Sequence, residues 1–168
     1  MIDPIPLLGR RIATPAVLRT YRRRGPAAAI EALQLVGGAG HEGDHHVQFH
    51  ISNGNRRIEL IVDGERSPHL TRDVLDWAAG RLDDTDWAQL DALDAARTAG
   101  FALAYPTDED HHKEIFRPAE LTTEERNRIG AGRRQAHDAE LAAHDLIRAR
   151  LHTSNARPGD QLDLFATP

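Results

Sequence analysis

Cysteine is absent from the 168 residues. That excludes structural disulfides, Cys-type zinc sites, iron–sulfur clusters and thiol nucleophiles, so any bound metal has to rest on His and carboxylates. Lysine is nearly absent as well: Lys113 stands alone against 20 arginines, beside one Met and only eight aromatic residues. Long apolar runs are missing, and residues 1–24 show no cationic segment followed by an apolar stretch and a small-residue cleavage site. Neither a membrane span nor a signal peptide is expected, no membrane partner is implied, and a cytoplasmic location is the expectation. A net charge of −5 argues against coating nucleic acid with the whole surface, but a mean leaves local patches open.

What is present, 40% hydrophobic and 28% charged residues, suits a globular chain long enough to bury a core. Thr14-Pro15 has the form of a cap and first-turn proline, which predicts a helix over 15–24. A second helix starts at Pro26 and runs to about Val36, with Ala29, Ile30 and Leu33 on a core-facing stripe. Residues 46–63 carry the clearest strand signal: Val47, Phe49 and Ile51 alternate with His46, Gln48 and His50, then Ile58, Leu60 and Val62 alternate with polar neighbours beyond Asn53-Gly54. This is a β-hairpin with one apolar face, and parity puts His46, Gln48 and His50 opposite the core.

Further along, a helix is expected from Ser67-Pro68 to about Leu82, burying Val74, Leu75, Ala78 and Leu82, with Trp77 at its edge. Another spans roughly 86–99 and stops at Gly100 as a C-terminal cap. Phe101 to Tyr105 is a candidate strand and Asp108 to Glu114 a polar loop. Thr122 with Glu125 three residues on has capping-box spacing and opens the longest helix, to about Leu151. Its inward positions, Ile129, Gly132, Ala136, Ala139, Ala143 and Leu146 or Ile147, are mostly small and suit a close neighbour. The sum is an α+β fold: a small antiparallel sheet centred on the hairpin and packed with about five helices in one domain, 1–152. A flexible tail, 153–168, follows the long helix.

Two groups of residues carry candidate chemistry in the body. Arg10, Arg11, Arg19, Arg22, Arg23 and Arg24 fall in a stretch without acids and with Tyr21 among them, so guanidinium groups there could contact DNA phosphates. The bland reading is a helix C-terminus whose dipole favours cations. Histidines form two clusters, His41, His45, His46 and His50 near the hairpin and His111 and His112 beside Asp108, Glu109 and Asp110. If 101–105 joined the hairpin's sheet the clusters would converge, and His46, His50, His111 and His112 could hold a divalent metal for hydrolysis. Solvated loop histidines are the competing reading, since no recognised metal-motif spacing is present.

The tail is the most informative stretch. Gln161-Leu162-Asp163-Leu164-Phe165 resembles, at every position, the short linear motif by which bacterial replication and repair proteins dock on the DNA polymerase sliding clamp. The resemblance covers five residues and implies a partner, not a fold. It implies that Leu164 and Phe165 fill an apolar pocket of the clamp, Leu162 a neighbouring shelf, and that Gln161 hydrogen-bonds at the rim, with Asp163 between. The residues between, 153–160, include turn formers and would reach on the order of 25 Å at roughly 3.3 Å per residue. The alternative is that Leu162, Leu164 and Phe165 pack as a last strand on the protein's own core.

The expected function is therefore that of a clamp-binding adaptor or regulator in replication, repair or mobile-element maintenance, either recruited by the clamp or occluding it. Two other classes stay open: a His/carboxylate metal-dependent nuclease or phosphoesterase, and a DNA-binding regulator using the basic N-terminal helix.

Overall fold

Caps and prolines start the first two helices of the computed structural model, which describes residues 2–33, 37–52 and 54–152. Asp3 accepts from Ile5 N at 3.1 Å ahead of α1 (Pro4–Ile12), and Thr14 accepts from Val17 N at 3.3 Å ahead of α2 (Pro15–Arg24). The helix α1 was not expected; its proline-broken start hides the Leu7, Leu8 and Ile12 stripe that it buries. Next, α3 spans Pro26–Ala32, and 34–36, where it was expected to continue, lie outside the described residues.

Four strands follow as an antiparallel meander: β1 (Gly37–Glu42), β2 (His45–Ser52), β3 (Arg57–Val62) and β4 (Glu65–Leu70), in that spatial order. The expected hairpin is β2–β3, with Phe49 opposite Leu60 and Ile51 opposite Ile58. The outer strands correct the expectation. A helix was expected from Ser67-Pro68, yet Glu65–Leu70 pairs with β3 and the helix α4 begins only at Thr71, running to Ala79. The missed signal is Asp63-Gly64, both at positive φ (49° and 90°), the dipeptide that closes a tight hairpin. Pro68 is tolerated because β4 is an edge strand.

The chain divides into two compact units. In the first, residues 2–83 with the helix end from Leu146, one face of the sheet meets the helices. Leu7, Leu8, Ile12, Val17, Ala29, Leu33, Val47, Phe49, Ile58, Leu60, Val74 and Leu75 form its core. Each fully buried Leu or Ile there contributes about 1.5–3 kcal/mol. Trp77 on α4 lies over α1, where a Cβ on Gly9 would come within 2.5 Å of its ring. Leu151, 1% exposed near the end of the last helix, is also in this unit.

The second unit, 84–145, is helical: α5 (Asp84–Ala104), α6 (Asp108–Phe116), a short 3-10 turn (Pro118–Glu120) and α7, which runs from Thr123 to His152. The capping box at Thr122 and Glu125 is present, with bonds of 2.7 and 3.1 Å. All the inward α7 positions from Ile129 to Ala143 are buried. Gly100 is not a stop and 101–105 is not a strand: α5 continues to Ala104, and Gly100 sits where a Cβ would be 2.6 Å from the Gly132 carbonyl of α7. The glycine is there for a close helix crossing.

The expected polar loop at 108–114 is also helical. Thr107 and Asp110 form its capping box, and no residue of α6 is buried. Ion pairs tie it to α7 instead: Lys113 to Glu125 (3.0 Å), Arg128 to Asp110 (2.7 Å) and Arg133 to Glu114 (2.9 Å). With no apolar stripe, periodicity had nothing to detect.

Candidate functional site

The structure divides the arginine run between two helices. Arg10 and Arg11 end α1; Arg19, Arg22, Arg23 and Arg24 lie on α2. Arg10 donates to Glu42 on β1 at 3.0 Å, and the Arg11 guanidinium lies near Gly40. Arg19 is 8% exposed, so its charge is withdrawn from the surface. Tyr21 donates to Asp76 on α4 at 3.1 Å, and burial with that bond pushes the phenol up. The exposed members at the α2 C-terminus are Arg22, Arg23 and Arg24. One local cationic surface remains where six residues in line suggested a longer one.

The sheet's outer face holds most of the hairpin histidines. In register across it stand His41 and His46, then Ala39, Gln48, Ile61 and Arg66, then Gly37, His50, Glu59 and Pro68. His50 Nε2 lies 2.5 Å from Glu59 Oε2, and Arg66 pairs with Glu59 Oε1 at 3.2 Å. Nearer the turns, His45 Nδ1 is 2.6 Å from Asp63 Oδ2, while Asp63 Oδ1 accepts from His46 N at 2.9 Å. The bond from His45, then that backbone N–H, hold the Asp63 carboxyl below its usual value.

On the opposite side of the sheet, a cleft of about 560 Å³ has an apolar floor of Ile2, Pro4, Leu60 and Val62. Its rim includes His45, Asp63 and Ser67. Ser67 Oγ is 3.0 Å from His69 Nε2, and burial pulls the His69 pKa down against the opposing charge of Asp3. The sequence reading missed this cleft because it took 67–70 for helix and not for the strand that aligns Ser67 with His69.

The chain matches no protein-family model, no curated protein and no solved structure.

His111 and His112 are on α6, exposed, where His111 packs edge-on to Tyr105 (4.9 Å between centroids) and His112 against Phe116 (4.7 Å). The strand that was to bring them to His46 and His50 is the helix α5. Among the described residues, no three His, Asp or Glu side chains gather as a metal-ligand set. Nor, among them, is any helix long and apolar enough to cross a membrane. Gln161, Leu162, Asp163, Leu164 and Phe165 lie outside the described residues.

Proposed function

We propose that the protein docks on the bacterial DNA polymerase sliding clamp through residues 161–165 and serves there as an adaptor or regulator of replication, repair or mobile-element maintenance. The observation that carries this reading is the pentapeptide Gln-Leu-Asp-Leu-Phe itself, complete at every position. Its physics is peptide-in-groove recognition: two or three apolar anchors supply affinity and one polar group sets register. In a chain of this composition the specifying positions recur by chance in roughly one case in a thousand.

The test is binding of the full chain to its host's sliding clamp, compared with the double variant Leu164→Ala, Phe165→Ala. Loss of binding with an unchanged far-UV spectrum and melting temperature is expected. Equal clamp retention by the double variant, or no binding by the wild type, refutes the reading. Adding the protein to a clamp-dependent polymerase assay then bears on recruitment against occlusion: an occluding role predicts slowed synthesis at one protein per clamp, whereas a recruited adaptor slows it only in excess, by competition.

A second reading, direct contact with DNA phosphates, is favoured by the exposure of Arg22, Arg23 and Arg24 together at one helix end. It is compatible with clamp docking, which would hold those arginines near a duplex.

A further inference from the structure

Two of the four hairpin histidines are engaged by carboxylates, His45 by Asp63 and His50 by Glu59. The other two face each other. His41 on β1 and His46 on β2 are register partners, both exposed, with ring centroids 5.4 Å apart and planes at 69°. The two-residue loop Gly43-Asp44, with Gly43 at φ 59°, closes on the pair Glu42–His45. In such a hairpin the flanking pair exchanges the backbone hydrogen bonds, so the next pair out is the non-hydrogen-bonded kind, whose side chains stand closest. A short, tight turn thus sets the two backbone positions side by side before any ligand arrives.

That spacing has a chemical meaning. Imidazole nitrogen binds Zn²⁺ at about 2.0–2.1 Å, which puts the ring centroid about 3.2 Å from the ion and two rings on one tetrahedral ion about 5.2 Å apart. The observed centroid separation, 5.4 Å, matches that spacing, and ligation requires each exposed ring to turn one nitrogen toward the ion. We propose that His41 and His46 form a bidentate site for a divalent transition-metal ion such as Zn²⁺, on the open face of the sheet. The site pairs His46 with its cross-strand neighbour and not with His50, which is on the same strand and held by Glu59. Asp63, bonded to the His46 backbone, adds a negative charge nearby that favours a cation.

Two protein ligands leave the remaining positions to water or to an oxygen ligand from outside. The site would therefore bind an ion without burying it, and an exchangeable position could accept a phosphate or carboxylate oxygen. A second preoriented imidazole raises affinity over a lone one by roughly 10²-fold. Only neutral imidazole ligates a metal, so protons compete with the ion and binding weakens as pH falls.

The test uses untagged full-length protein titrated with Zn²⁺ by calorimetry at pH 7.5 and 5.5. One ion per chain is expected at the higher pH, with affinity falling roughly 10²-fold in His41→Asn and equally in His46→Asn, while His50→Asn stays at the wild-type value. Imidazole NMR supplies a second readout: Zn²⁺ should shift the His41 and His46 ring signals first. Retained affinity in His41→Asn, an equal loss in His50→Asn, or no Zn²⁺ binding by the wild type overturns the proposal.

Discussion

The crossing of α5 and α7 makes identical substitutions on one helix come out with opposite signs. A Cβ added to Gly132 would lie 2.3 Å from the Gly100 carbonyl oxygen, 2.5 Å from the Ala104 nitrogen and 2.8 Å from the Ala104 Cβ. The first two are backbone atoms held in the hydrogen-bond ladder of α5, so the relief available is separation of the helices. Overpacking of this kind costs about 1–3 kcal/mol, against a gain of about 0.8–1 kcal/mol from the better helix propensity of Ala. With contacts about 1 Å inside normal van der Waals separation the cost lies at the upper end, and Gly132→Ala should destabilise by about 1–2 kcal/mol net. Gly130, two residues earlier, has only the Arg134 Nη1 within reach, at 3.5 Å, the movable end of a long side chain. There the propensity gain stands alone and Gly130→Ala should stabilise by about 0.5–1 kcal/mol. Thermal melts followed by far-UV circular dichroism measure both, at about 2–4 °C per kcal/mol for a chain of this size. If Gly132→Ala melts at or above the wild type, the close crossing is refuted, and with it the packing reason for a glycine at position 100.

Two other outcomes follow from charges. If Arg22, Arg23 and Arg24 contact phosphates, replacing all three by Gln should flatten the salt dependence of DNA binding by up to about three units of slope, and an unchanged slope removes them from the contact. The carboxyl of Glu125 is held below its usual value of 4.5, first by the Thr122 backbone N–H and then by Lys113, and that of Asp110 below 3.8, first by the Thr107 hydroxyl. A carboxylate whose folded pKa is depressed contributes stability that is complete above its unfolded value and is lost as pH falls through the folded one. The melting temperature should therefore fall as pH drops below about 4.5, and less so in Glu125→Gln; equal acid sensitivity in the variant would refute the assignment.

Local chemistry determined much of this protein from sequence alone. The α2 cap at Thr14, the inward parity of Val47, Phe49, Ile58 and Leu60, and the capping box at Thr122 each depend on atoms within a few residues or on a period of two, and each is present. The small inward residues of α7 also announced a close neighbour. They did not say which one.

Tertiary structure decided the rest, for reasons that no short window contains. Gly100 has the local form of a helix stop, yet α5 runs on to Ala104, and the glycine suits a close crossing where the Gly132 carbonyl leaves no room for a Cβ. Helix α6 lacks an apolar face and is held by cations on α7, of which Arg133 is 19 residues from its partner Glu114. The six arginines of 10–24 become one buried residue (Arg19), one paired to β1 (Arg10), one exposed at the end of α1 (Arg11) and three exposed at the end of α2, because burial is settled by what packs above them. The histidines follow the same rule: density in the sequence marked the region, while strand register chose His41 as the partner of His46. For the pentapeptide at 161–165 the order is reversed, since a linear motif carries its recognition in consecutive side chains and needs no fold to be legible.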